Sequence, residues 1–195
     1  STLDRSSAAS DVYKRQGYED PVHSIRRQSE GIYAMLHFLA YEKENGRRHP
    51  EWEQKMKNML DILLRLQQAD GSFPRKFRDD FTIVDTSGGS TPSATLPLVM
   101  GYKYFKDKRY LASAKQTADY LEKVLISKAD YFSSTLDANC EDKEASLYAA
   151  TATYYLSLIT KGDEHRHYAD LTKKAAYFAL SWYYVWDVPF AQGQM

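Results

Sequence analysis

The chain has 195 residues, with 26 basic and 26 acidic side chains and a formal net charge of zero. That balance gives no electrostatic reason to expect a nucleic-acid or acidic-membrane partner. One cysteine, Cys140, excludes an intrachain disulfide and a cysteine metal cluster.

Residues 1–16 (STLDRSSAASDVYKRQ) are Ser/Ala-rich and carry no apolar periodicity. They resemble a translated sequencing-adapter artefact found at the ends of metagenomic proteins, or else a disordered tail, and they are set apart from the fold. Removing them takes away three basic and two acidic residues and leaves the charge near balance. The remaining unit, 17–195, reads as one domain.

Along that unit two kinds of helix alternate. GIYAMLHFLAY (31–41) carries no formal charge with neutral histidine and is expected to be buried on all sides. The first inner helix is placed from about His23, with Arg26, Arg27 and Glu30 in its first turns. The next helix is one-sided: Trp52, Met56, Met59, Leu60, Leu63 and Leu64 form a stripe, and Glu53, Lys57, Asp61 and Arg65 face elsewhere. TPSATLPLVMGY (91–102) is again uncharged, with Pro97 implying either a kink or a helix start near Thr95. A second striped helix follows at Leu111, Ala114, Ala118, Leu121 and Leu125. ASLYAATATYYLSLIT (145–160) is uncharged, and a third stripe runs Tyr168, Leu171, Ala175, Phe178, Trp182 and Val185. None of these runs reaches the roughly 18 apolar residues of a membrane span.

This alternation has a simple packing solution: an inner layer of buried helices and an outer layer of striped ones. The expected fold is all-α, three helical hairpins forming part of an (α/α)6 toroid or barrel. The turns inside each hairpin, 44–50, 106–109 and 161–166, are short and charged, and His165, in the last of them, and His167, just after it, are expected to be solvated. The connections from outer to inner helices, 70–90, 130–142 and 186 onward, are long, and long loops tend to be functional. They share one rim, onto which the inner-helix N-termini open, suited to oxygen-rich ligands.

The segments leading into those loops read LLRLQQADGSF, YLEKVLISKADYF and FALSWYYVWDVPF. Asp70, Asp130 and Asp187 stand 60 and 57 residues apart, the mark of one supersecondary unit copied along the chain. Because they recur, these acids are expected to shape turns, as Asp70-Gly71 would. DANCED (137–142) has the alternating oxygens of a calcium loop but lacks its sixth-position glycine, so no metal site is assigned. His37 is expected as a hydrogen-bonded core residue.

With its QxxDGSF-type loops, the chain resembles the six-hairpin glycosidase superfamily. SGGSTPSATLPLVMGYKYFKDKRYLASAKQTADYL and SSTLDANCEDKEASLYAATATYYL resemble a bacterial branch of it. The resemblance covers about 18–195 and implies a carbohydrate substrate, no cofactor, and two rim carboxyl groups flanking a glycosidic bond. Asp137 with Asp85 is the expected catalytic pair, supported by Asp142 or Glu144. Trp186, Asp187, Arg75, Arg26, Arg27, Lys143 and His23 are expected to bind substrate. A polysaccharide lyase or sugar epimerase, using Tyr131, His23, Arg75 and Arg26, is the alternative chemistry. A helical-repeat binding module without chemistry is the alternative class. Three hairpins rather than six mark the chain as truncated at its C-terminus, with an open edge on each helix layer and a tendency to aggregate alone. A cytoplasmic or an exported bacterial location fits the composition equally.

Overall fold

The computed structural model describes residues 22–86, 90–131, 141 and 143–183. A short strand β1 (Val22–Ser24) leads into α1 (Ile25–Glu44), and α2 (Pro50–Leu66) completes the first hairpin. Strands β2 (Lys76–Arg78) and β3 (Ile83–Asp85) precede α3 (Ser90–Phe105) and α4 (Lys108–Tyr120), which continues as a π-helical segment, Leu121–Ile126. The third hairpin is α5 (Lys143–Ile159) and α6 (Gly162–Ser181).

The helix ends follow their sequences. Ser24 sits in extended backbone and accepts from the Arg27 amide at 3.5 Å, so α1 begins after His23, which belongs to β1. Pro50 opens α2 with Glu51 and Glu53 in its first turn. Asp107 caps α4, its Oδ1 accepting from the Arg109 amide at 2.9 Å. The residues expected in the 161–166 turn are mostly helical, because α6 starts at Gly162. His165 is therefore on a helix, its Nδ1 2.7 Å from the Ser157 carbonyl, and His167 Nε2 lies 3.0 Å from Glu122. The α1–α2 turn is clamped by Glu42, a buried acid accepting from Arg47 Nε at 2.7 Å and lying 2.9 Å from His49.

The layers form as the alternation requires. α3 packs beside α1 on one side and α5 on the other, while α2 and α4 back it and α6 backs α5. Of the α2 stripe, Met56, Leu60 and Leu63 are buried, and of the α4 stripe, Ala114, Ala118, Leu121 and Leu125. Tyr168, Leu171 and Ala175 do the same on α6. Each fully buried leucine contributes roughly 1.5–3 kcal/mol to folding. Trp52 and Trp182, placed in these stripes by spacing, are exposed at the ends of their helices instead. Val185 lies outside the described residues.

Two expectations need correction. Only α3 is buried all round, without a break from Ser90 to Gly101, and it begins at Ser90 rather than near Thr95, with Pro97 inside it. Two of its buried hydroxyls bond to its own backbone, Ser93 Oγ donating to the Ser90 carbonyl and Thr95 Oγ1 to that of Thr91, while the buried Ser90 Oγ has no partner among the described residues. Helices α1 and α5 expose one face each, including His37 on α1, because each has an inner-layer neighbour on one side only. The second correction is the antiparallel sheet β1-β2-β3 built into the first long connection. Three-residue strands are too short to show an alternation in sequence.

The turn at Asp70-Gly71 forms as its residues dictate. Asp70 Oδ1 accepts from the amide and the hydroxyl of Ser72, at 3.0 and 2.6 Å. Gly71 sits at φ +89°, and a Cβ there would stand 2.3 Å from the Gln116 carbonyl oxygen. Gly71→Ala is therefore expected to destabilise the fold by more than about 1 kcal/mol, read as a lower midpoint in urea with an unchanged slope.

Candidate functional site

The rim at the N-termini of α1, α3 and α5 is assembled by short-range contacts. Pairing of Ser24 with Lys76 and of His23 with Phe77 lays the β-hairpin along the entrance to α1. The Ile25 amide donates to the Arg75 carbonyl at 3.2 Å, and the Arg75 amide to the Asp85 carbonyl at 2.7 Å. The Phe73 amide donates to Thr91 Oγ1 at 2.9 Å, which ties the same loop to the start of α3.

Within this frame the structure brings several of the expected residues together. Arg26 bridges two carboxylates, with Nε 2.9 Å from Glu30 and Nη2 2.6 Å from Glu144. It thereby joins the first turn of α1 to the first turn of α5. Tyr148, one turn further along α5, donates its hydroxyl to Glu30, and the Arg26 guanidinium lies 5.8 Å from its ring centroid. Arg75 is buried and faces Asp85 across the hairpin at 4.0 Å. His23 Nε2 stands 2.5 Å from Asp79 rather than beside any expected carboxylate. Lys143 Nζ lies 5.0 Å above the Tyr183 ring, and Arg27 is exposed on the free side of α1. Asp137, Asp142, Trp186 and Asp187 lie outside the described residues, as does most of the DANCED segment.

The electrostatics separate the carboxyl groups. Burial opposes ionisation of Glu30, but hydrogen bonds from Arg26 and Tyr148 outweigh it and hold the group below its usual range. Tyr148 is pushed up to about 12, by burial first and by Glu30 second. Glu141 moves the other way. Desolvation of its carboxyl pushes it up, the Tyr131 amide donating at 3.0 Å opposes this, and neighbouring Asp130 adds to the rise. Two carboxyl groups driven in opposite directions are the raw material of acid–base chemistry.

Below the rim the inner face continues as an aromatic surface. Tyr33 on α1 and Tyr155 on α5 meet hydroxyl to hydroxyl at 3.0 Å in front of α3. His37 sits edge-on to Tyr33 at 4.6 Å, and Lys103 Nζ lies 5.6 Å over Tyr155. Burial, then the charge of Lys103, hold His37 below the usual histidine range. The expectation of His37 as a hydrogen-bonded core residue gives way to an exposed ring on this face. Tyr33, Tyr148 and Tyr155 were not singled out in the sequence. Their signal is the spacing: Arg26, Glu30, Tyr33 and His37 share one face of α1, as Glu144, Tyr148 and Tyr155 share one face of α5. Among the described residues no group of His, Cys, Asp and Glu has the arrangement to hold a metal ion, and no helix is long and apolar enough to cross a membrane.

No protein-family profile matches the sequence. Solved structures match the fold. An unsaturated glucuronyl hydrolase from Bacillus sp. GL1, responsible for glycosaminoglycan degradation, superposes with a TM-score of 0.63 at 15% identity over 80% of this chain. An unsaturated glucuronyl hydrolase specific for heparin gives 0.61 at 17% over 79%, and a D-mannose isomerase gives 0.61 at 14% over 84%. The chain spans 46%, 45% and 44% of those three structures. The architecture is that of a partial α/α toroid of the six-hairpin kind.

Arg26→Gln tests the bridge. It is expected to cost about 1 kcal/mol at neutral pH, a modest value because both carboxylates are partly solvated. The Glu30 share of that cost is present above its ordinary value of 4.5 and disappears as the pH falls through its lower native value. Thermal melts of both proteins at pH 7 and pH 3 should show the gap in Tm narrowing in acid.

Proposed function

We propose that this chain forms part of a glycoside hydrolase that binds a glycan along the inner face and cleaves it at the rim. The observation that carries the reading is the convergence of three inner-helix N-termini, an Arg-bridged carboxylate pair and an aromatic face in a fold shared with two sugar hydrolases and a sugar isomerase. Each part has a use. Tyrosine rings cover the C–H faces of a sugar, and carboxylates and guanidinium groups bond its hydroxyls. Helix N-termini add donors for oxygen.

Hydrolysis needs one carboxyl group to protonate the leaving oxygen and a second to act as base or nucleophile. In this reading Asp85 is one partner and the 130–142 connection supplies the other. Asp137 is the candidate from sequence. Glu141 has the electrostatic setting of a proton donor, since a raised pKa keeps a carboxyl protonated nearer to neutral pH. Glu144, shared with Arg26, positions substrate or partner groups at the mouth of the site.

Isomerisation or epimerisation of a sugar is the second reading, favoured by the D-mannose isomerase among the similar folds. It would use proton abstraction next to a carbonyl rather than attack at an anomeric carbon.

The test is an assay against a panel of glycans and free aldoses, followed by NMR. Release of reducing sugar identifies a hydrolase, and interconversion of free aldoses identifies an isomerase. Asp85→Asn, Asp137→Asn and Glu141→Gln are expected to separate the roles. Loss of the proton donor or its partner should lower kcat by about 100-fold or more, with Tm unchanged for Asp137→Asn and lowered for Asp85→Asn, which removes the charge facing the buried Arg75. Full activity in all three variants would remove the rim carboxylates from the chemistry.

A further inference from the structure

The C-terminal ends of α1 and α3 enclose a cavity of about 580 Å³ at the end of the inner layer opposite the rim. It lies where these two helices pack on each other, so both of its walls are in place. Leu36 and Ala40 of α1 and Met100 of α3 line its apolar part. Lys43, Lys103 and Lys106 line the rest, with Tyr104 and the acid Glu44.

The surrounding chemistry leaves these three lysines uncommitted. Arginines take the nearby carboxylates: Arg47 pairs with Glu42, Arg48 with Glu53, and Arg109 with Asp61 and Asp107. Among the described residues, none of the three lysines forms an ion pair. Lysines near a helix C-terminus commonly serve its last carbonyls, but here other groups do so. The Asn45 backbone amide donates to the Tyr41 and Glu42 carbonyls at 3.1 Å each, and its side-chain amide to that of Tyr41 at 2.8 Å. The Lys106 backbone amide closes α3 on the Tyr102 carbonyl at 2.8 Å. The ammonium groups are held over aromatic rings instead. Lys43 Nζ stands 5.1 Å from the centre of the Tyr104 ring, across the gap between the helices, and Lys103 Nζ 5.6 Å from that of Tyr155. Lys106 sits at φ +62°, a left-handed position that glycine fills without strain and lysine does not. A helix stop has no use for an ammonium group there, whereas an anion in the cavity has.

We propose that this cavity binds a small phosphate monoester, its phosphate on the three lysines and its carbon body on Leu36, Ala40 and Met100. Three ammonium groups against one carboxylate leave the wall positive. A phosphate monoester is close to dianionic at pH 7 and carries three acceptor oxygens. Lysine serves phosphate as a point charge. The volume falls in the range of about 300–1,000 Å³ found for small-molecule sites. The site is separate from the rim and does not depend on the reaction proposed above.

The experiment is calorimetric titration of the 195-residue chain at pH 7 and constant ionic strength, with glucose 6-phosphate, glucose 6-sulfate and inorganic phosphate as probes. Glucose 6-phosphate is expected to bind once per chain, about tenfold or more tighter than either of the others. Lys43→Gln and Lys106→Gly should each weaken it by about tenfold or more. Lys106→Gly also relieves the left-handed backbone, so its Tm should hold or rise and its loss of binding cannot come from unfolding. Arg26→Gln at the rim and Lys173→Gln on α6 should leave the titration unchanged. Absence of saturable binding overturns the proposal, as does equal affinity for the sulfate ester or for inorganic phosphate. Full binding by both cavity variants overturns it too. Loss of binding in Arg26→Gln would place the ester at the rim, and equal weakening by Lys173→Gln would reduce the effect to overall charge; either result removes the site.

Discussion

A helix with no charged face has nowhere to put itself except among other helices, and α3 imposes that requirement on everything around it. From Ser90 to Gly101 every residue is buried. To bury such a helix, two others must flank it, and more must close its back. That places α1 and α5 side by side with α3, and α2 and α4 behind. The cost of this arrangement would be high if the serines and threonines of α3 had no partners. Ser93 and Thr95 meet it through bonds to carbonyls one turn back and Thr91 by accepting from the amide of Phe73, which leaves Ser90 Oγ as the one buried α3 hydroxyl without a partner among the described residues. Because Thr91 also holds the incoming loop, the burial of α3 and the position of the rim are one structural event.

The site follows from the same geometry. With α3 recessed between its neighbours, polar side chains on the near faces of α1 and α5 can meet in front of it. Arg26 reaches Glu144, and Tyr33 reaches Tyr155. A charged bridge at the rim and an uncharged hydroxyl pair deeper in give the inner face a graded polarity. The local electrostatics agree: Arg26 and Tyr148 hold Glu30 below its usual range, while burial, then the charge of Lys103, disfavours His37 as a cation.

Much of this was legible in the residues. The contrast between uncharged and striped helices identified the two layers, because burial on one side or on all sides leaves different periodicities. The turn at Asp70-Gly71 was legible because φ +89° and the contact with Gln116 demand glycine. Other features were not. His23 was assigned to a helix, but Ser24 is the cap, and strand pairing with Phe77 claims the residue before it. Trp52 and Trp182 matched a stripe by spacing, yet a helix end projects beyond the layer it covers. The pairing of Arg26 with Glu144 joins residues 118 positions apart and depends on the relative height of two helices, which no local pattern encodes. Glu30 pairs with Arg26 on its own helix, a spacing legible in sequence, but Tyr148 also claims it from the third hairpin.

The two ends of the helical layers differ in how they are fastened. At the far end the turns are two to five residues long and locked by short-range bonds, Glu42 to Arg47 and His49, and Asp107 to Arg109. At the rim the connections are long, and their described residues are tied by contacts such as Phe73 to Thr91 of α3 and, within the second connection, Tyr131 to Glu141. Lengthening a long loop adds little closure entropy, whereas a clamped turn has no slack. Change of loop length is thus cheaper at the rim than at the far end, outside built turns such as that at Gly71. Such a scaffold can acquire new specificities by rewriting its rim loops while its helical layers stay as they are.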